Sequence, residues 1–170
     1  MNANDPAVVR FRERFAADIL GVEEFRGETA VSVKPARIVE MLRSLREDPE
    51  CPFEMLTDLT AVDYLRLDRP ERFAVVYQLY SVLANRRIRV KAYVNEARCE
   101  IDSATGLWAD ANWLEREVWD LYGIRFLGHP DLRRILMPDT YEGHPLRKDY
   151  PLKGRGERSN FPKYLVEEPE

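Results

Sequence analysis

The sequence predicts an α+β fold: a mixed, largely antiparallel sheet with helices packed on it, plus an extended C-terminal arm. Three observations carry this reading. Over residues 1–127, apolar side chains recur first at helical and then at strand spacing. The alternating segment 87–94 follows the apolar segment 72–80 across "LANR", which marks a hairpin. Six of the eleven prolines then fall within 130–170, where both periodicities fade. A length of 170 residues suits one domain. The boundary falls after residue 127, giving a globular body (1–127) and a Pro-rich, basic arm (128–170).

The elements follow in order. Val8, Phe11, Phe15 and Ile19 recur at helical spacing after Pro6, with Gly21 as a stop. Residues 29–33 read as a strand. Ile38, Met41, Leu42 and Leu45 predict a second helix, opened by Pro35 and closed before Pro49. Residues 54–64 are rich in strand formers. "RFAVVYQLY" is apolar on both faces and should be central. "RIRVKAYV" alternates cleanly, with Ile88, Val90, Ala92 and Val94 inward, so it is a half-buried antiparallel strand. A short strand includes Cys99 and Ile101. "ANWLEREVWDLYG" predicts the last helix. Asn112 with Glu115 fits a capping box, and Gly123 fits the helix end. Leu114, Val118, Leu121 and Tyr122 form one stripe; Arg116 and Asp120 lie opposite, spaced to pair with each other. "PDLRRIL" suggests one further helical turn.

Charge is distributed unevenly. The whole chain carries −4, which does not suggest a nucleic-acid binder. Residues 133–163, however, hold eight basic side chains against four acidic ones. Tyr141, Tyr150, Phe161 and Tyr164 punctuate the same stretch, and a plain linker rarely carries that much aromatic surface. The arm therefore reads as a strap laid across another surface. Single-stranded nucleic acid is the alternative, because arginine mixed with aromatics is also its signature. The N-terminus lacks the apolar stretch of a signal peptide. The longest apolar run, 73–84, is short of the about twenty residues that a membrane span needs. Cys51 and Cys99 are too few for a structural zinc site or a four-thiolate cluster, and they read as reduced thiols.

The two histidines pose the sharpest question. His129 and His144 both sit in Gly-His-Pro, each followed closely by Leu and paired basic residues. Their spacing matches no metal-ligand pattern, and proline after each fixes a backbone shape, so turn geometry is preferred. Glu115 and Glu117 diverge on the helix and cannot flank one small substrate. Glu115 reads as a cap and Glu117 as a solvated side chain. The functional reading is that this pair holds arginines of the arm, Arg133 or Arg134 being nearest in sequence. No G-x-S-x-G and no phosphate-loop motif occurs, and "GRG" at 154–156 reads as a bend. Trp108, Trp113 and Trp119 read as core or interface anchors. The residues alone thus describe a binding or structural protein without its own active site.

"ANWLEREVWDLYGIRFLGHPDLRRIL" followed by "YEGHPLRKDYPL" resembles the signature of the thirty-kilodalton (C) subunit family of proton-translocating NADH–quinone oxidoreductase (respiratory complex I), in its unfused form. The dense match covers about residues 111–152, and "LTDLTAVDYL" fits the same family. Tyr141 stands where the family often has Trp. The resemblance implies a peripheral-arm subunit that holds no cofactor itself. FMN and Fe–S clusters lie in partner subunits, and electrons pass through them from NADH to a quinone such as ubiquinone, coupled to proton transport. The implied partners are chiefly the quinone-site D subunit and the cluster-bearing B subunit, at the cytoplasmic face of the bacterial inner membrane. Contact with the membrane would be only through the complex. No catalytic, cofactor-binding or metal-binding residue is assigned. The expected partner-binding residues are Glu115, Arg116, Glu117, Asp120, His129, Arg133, Arg134, His144, Arg147, Lys148, Asp149 and Tyr150. Each Gly-His-Pro would be a rigid corner with His as a polar plug. The equivalent subunit of a membrane-bound energy-converting hydrogenase is the second reading.

Overall fold

A computed structural model describes residues 3–156. Arg158, Phe161, Lys163 and Tyr164, which belong to the arm, lie outside the described residues. The element order is α1 (Pro6–Arg14), β1 (Ile19–Phe25), β2 (Glu28–Val33), a 3-10 turn (Pro35–Arg37), α2 (Ile38–Arg46), β3 (Met55–Asp63), β4 (Phe73–Ser81), β5 (Arg86–Val94), β6 (Glu100–Asp102), α3 (Ala111–Tyr122) and β7 (Arg125–Leu127). No helix among the described residues is long and apolar enough to cross a membrane.

The main sheet has the order β1-β2-β5-β4-β3. Within it β2 pairs with β5 in parallel and the other neighbours are antiparallel, so the sheet is mixed and largely antiparallel, as expected. The register puts Leu59, Tyr77 and Val90 in one row and Ala61, Val75 and Ala92 in the next. These rows form the buried face, against which Phe11, Phe15, Ile38, Met41, Leu42 and Leu45 of the helical layer pack. The opposite face of β5 carries Arg89 and Lys91, paired across the sheet with Glu28 and Glu23. The alternation of "RIRVKAYV" holds as far as Lys91, with a charged ladder on its outer side, but Tyr93 on that side is buried and packs against Tyr64. A second, two-stranded parallel sheet, β6-β7, brackets α3.

Several expectations are corrected. The first helix does not reach Ile19: it ends at Arg14, capped by the Phe15 N–H on Phe11 O, and Ile19 opens β1. Ile19 lies four residues after Phe15 and so mimics helical spacing, while β1 is an exposed edge strand without apolar alternation. Arg26 and Gly27, both at positive φ, turn β1 into β2. β4 is interior but one place off centre; β5 is the middle strand and pairs parallel with β2 on its other side. "PDLRRIL" forms no helical turn. The N–H groups of Ile135 and Leu136 are taken by a side chain of α3 instead.

Tyr77 is fully buried in the centre of the sheet, and its hydroxyl has no hydrogen-bond partner among the described residues. An unpaired buried hydroxyl costs about 1–3 kcal/mol. Tyr77→Phe should therefore keep the fold and hold or raise stability, by up to roughly 1 kcal/mol. Urea unfolding of the full chain checks this.

Candidate functional site

The site grows from the C-terminal end of α3. A helix leaves its last four carbonyls without intrahelical partners, and a buried end must find other donors for them. Gly123, at φ 75°, turns the chain so that its N–H returns to Trp119 O at 2.8 Å. The arm supplies the rest. His144 Nδ1 donates to Asp120 O at 2.9 Å, Leu146 N donates to Leu121 O at 3.0 Å, and Arg147 Nε donates to Tyr122 O at 2.6 Å. A Cβ on Gly123 would stand 2.5 Å from the His144 ring, so glycine is required for space as well as for φ. Near the other end of α3, His129 Nε2 meets Asn112 O at 3.1 Å, and the Asp131 N–H donates to His129 Nδ1 at 3.0 Å. The two histidines therefore hold the two ends of one helix. Gly128 and Gly143, which precede them, both take positive φ.

Asp120 is the centre of the clasp. Its fully buried carboxylate accepts the backbone N–H groups of Ile135, Leu136 and Met137 at 2.8–3.1 Å and pairs with Arg134 at 2.5 Å. Burial disfavours the charge, but these four donors outweigh it and hold the carboxyl below its ordinary value. Arg134 also donates to Tyr141 O and Gly143 O and lies over the rings of Trp119 and Tyr141. It thereby ties the arm to itself. Arg116, also buried, donates to Arg133 O and Arg134 O and stacks on Trp113. The expected Arg116–Asp120 pair is not formed, because each group is committed to the arm's backbone.

Glu115 forms no capping box. Its carboxylate is fully buried and accepts from Ala104 N and Ser103 Oγ, both at 2.6 Å, in the loop before α3. Burial pushes its pKa up to about 7 against these two bonds. Glu117 is exposed, so within this chain the acid that clasps an arm arginine is Asp120. Arg133 points outward and pairs with Asp131.

A second anchor, which periodicity and motifs did not single out, sits at the far end of the sheet. Asp63 ends β3 almost wholly buried; it accepts two bonds from Arg72 and the N–H groups of Leu65 and Lys148. Burial opposes its charge, yet Arg72 and the two N–H groups keep the carboxyl lowered. Arg72 also pairs with Asp149 at 2.8 Å and with Glu96. Arg147 lies over Phe73 and reaches Cys99 Sγ. The Tyr150 hydroxyl accepts from Tyr141 at 2.8 Å, which links two points of the arm. A signal for this anchor was present: Leu59, Ala61 and Asp63 occupy successive inward positions of β3, and an acid at an inward position asks for a partner. Among the described residues, no three His, Cys, Asp or Glu side chains converge as a metal site. Trp108 is buried, Trp119 is half-buried and Trp113 is exposed.

The fold and clasp define an α+β body that binds the first part of its own C-terminal strap. The family described as "Respiratory-chain NADH dehydrogenase, 30 Kd subunit" matches residues 31–156, and the chain belongs to it. It is 53% identical to the NADH-quinone oxidoreductase C subunit of Geobacter sulfurreducens, over 91% of this chain and 93% of that one. It is 50% identical to the C subunit of a Roseiflexus species, over 88% of this chain and 84% of the relative. Among solved structures, a trypsin-resistant fragment of Nqo5 is 37% identical with TM-score 0.65, covering 74% of this chain and 99% of the fragment. A chain of an archaeal membrane-bound sulfane sulfur reductase shares the fold at TM-score 0.73 and 19% identity, over 98% of this chain and 97% of that one.

The clasp makes two predictions. Asp120→Asn leaves the half-buried Arg134 without its counter-charge and should cost about 3 kcal/mol, read as a lower urea midpoint and faster trypsin cleavage after Arg133 or Arg134. His144 is half-buried; desolvation first, then the charges of Arg147 and Arg134, lower its pKa below 6.5. A lowered base stabilises the fold only while neutral. The stability difference between wild type and His144→Gln should thus shrink as pH falls through 6.5. Urea titrations of both proteins across that range check it.

Proposed function

We propose that this chain serves NADH–quinone oxidoreductase as a cofactor-free subunit of its peripheral arm. In this reading it organises the contact between the quinone-site D subunit and the cluster-bearing B subunit at the cytoplasmic face of the membrane. FMN and the Fe–S clusters belong to partners, and the chain's own residues shape a docking surface. The family match over residues 31–156 carries the proposal, because it spans both anchors of the clasp. The use of the side chains supports it. Both histidines are engaged with helix carbonyls, and the buried carboxylates of Asp63 and Asp120 are engaged with backbone N–H groups and arginines. Groups bonded in this way hold a shape; they are not poised for acid–base turnover.

The outward side of the clasp is what a partner would meet. Trp113 of α3 and Leu136, Leu146 and Leu152 of the arm are exposed, as are Arg133, Lys148 and Lys153 of the arm. Exposed Trp and Leu among charged side chains is the composition of an interface core and rim. The nucleic-acid reading is weakened by the same geometry. Arg116, Arg134 and Arg147 turn inward on carbonyls and aromatic rings, and Arg72 takes up Asp149, so they present no basic track.

Charge reversal separates docking from folding. Glu117→Lys changes an exposed side chain and should leave the isolated chain folded by circular dichroism while lowering recovery of the assembled peripheral arm several-fold. Arg147→Glu removes the bond to Tyr122 O and should impair both. Native purification of the tagged chain, with the D and B subunits scored by mass spectrometry, reads the outcome. Normal assembly of Glu117→Lys with failed electron transfer would overturn the docking role and restore a catalytic one.

A further inference from the structure

We propose that Glu115 is a proton-holding site inside the body, wired to the surface by the hydroxyls of Ser103 and Thr105, and that its proton controls how tightly loop 103–105 is latched to α3. This role is independent of docking. It rests on a continuous set of contacts. Glu115 Oε1 accepts the Ala104 N–H, and Oε2 lies 2.6 Å from Ser103 Oγ. Ser103 Oγ lies 2.8 Å from Thr105 Oγ1, with either atom able to donate, and it also accepts the Thr105 N–H. Glu115 is fully buried, whereas Ser103 and Thr105 are half-buried and reach the surface. A buried acid therefore has a hydrogen-bonded route to solvent two hydroxyls long.

The surroundings explain why a proton would stay there. Among the described residues, burial, the Ser103 hydroxyl and the Ala104 N–H act on Glu115, with no cation among them. On α3 itself, Arg116 and Asp120 are committed to the arm and Glu117 is exposed. From β4, the neutral, buried phenol of Tyr77 lies within reach of its charge and of that of Asp102, an exposed acid of β6. On β3, Asp58 is exposed and Asp63 is held by Arg72, while Arg125 of β7 is exposed. Contrast Asp120 on the same helix, with an arginine and three N–H donors.

The step itself is one proton taken from solvent. With Glu115 ionised, the Ser103 O–H donates to Oε2 and the Thr105 O–H donates to Ser103 Oγ. On uptake both hydroxyls reverse: Oε2–H donates to Ser103 Oγ, and the Ser103 O–H turns to Thr105 Oγ1. The Ala104 N–H stays on Oε1 but loses its charged acceptor, and a charge-assisted bond is about twice as strong as a neutral one. The loop is thus held more tightly when Glu115 is ionised. The ionised state nevertheless opposes folding as a whole. The folded acid keeps its proton up to about pH 7 while the unfolded one releases it near 4.5, so stability falls as pH rises between the two.

Carbon-13 NMR of the full chain labelled at glutamate δ-carbons tests this. One carboxyl should titrate near pH 7, and that signal should be absent in Glu115→Gln. Ser103→Ala removes a donor to the ionised form and should move the same midpoint to higher pH; it serves as the test alone if Glu115→Gln does not fold. The Ala104 amide should exchange faster below the midpoint than above it, after correction for the intrinsic rate. The proposal fails if every glutamate titrates in the ordinary carboxyl range, if the near-neutral signal survives in Glu115→Gln, or if Ser103→Ala leaves it unmoved.

Discussion

The path of residues 128–150 is governed by the way α3 ends. Its last carbonyls emerge where water does not solvate them freely, so other donors must be brought to them. The arm is the nearest source, and the order of its residues follows from the order of the acceptors. Leu146 N reaches Leu121 O, the next residue reaches Tyr122 O, and His144 sits one step back on Asp120 O. Two guanidinium groups, from Arg134 and Arg147, stand at the same end, where the helix dipole is negative. Inserting or deleting one residue between His144 and Arg147 would misalign every one of these bonds. The stretch looks irregular because it is shaped to a helix end and has no period of its own.

Two anchors fix this path. Asp120 with Arg134 holds it at α3, and Asp63 with Arg72 holds it at the end of the sheet. Buried ion pairs add little net stability, because desolvation offsets attraction. Their influence lies in what they forbid: any alternative course for the arm leaves a buried charge without its partner. A strap so constrained is already in shape when a partner arrives, and little ordering entropy then opposes binding. This ties the inward-facing charges to the outward surface. Arg134 and Asp120 face inward in this arrangement, yet they set where Leu136 and Leu146 are displayed.

The sequence made most of the fold legible through periodicity and proline. The second helix, the apolar strand, the alternating strand and the last helix all announce themselves within one segment. What stayed hidden depends on contacts distant in sequence. β1 has no apolar alternation, because an edge strand needs none, and Ile19 mimics one more turn of helix. Glu115 sits at a capping-box spacing from Asn112, and only the return of loop 103–105 over α3 shows that its carboxylate is used elsewhere. The clasp was legible in kind but not in detail: an acid on the last helix does hold an arm arginine, but it is Asp120 on Arg134, while Arg116 binds the arm by its carbonyls. Asp63 and Arg72 were missed because nine residues and a loop separate them from each other, and eighty-five separate Asp63 from Lys148.

Glu115 and Asp120 show how much of an acid's behaviour lies outside its own sequence position. Five residues apart on one helix, they are both fully buried. One faces a short loop that offers two neutral donors, and its carboxyl rises to about 7. The other faces the arm, which offers three N–H groups and a guanidinium, and its carboxyl falls. The helix therefore separates two electrostatic regimes, one toward the body that favours the protonated acid and one toward the strap that favours the charged acid. A proton on Glu115 can change the loop before α3 without disturbing the ion pair that fixes the arm, because the two sets of hydrogen bonds share no donor. The body could then respond to pH while the surface built by the strap keeps its form.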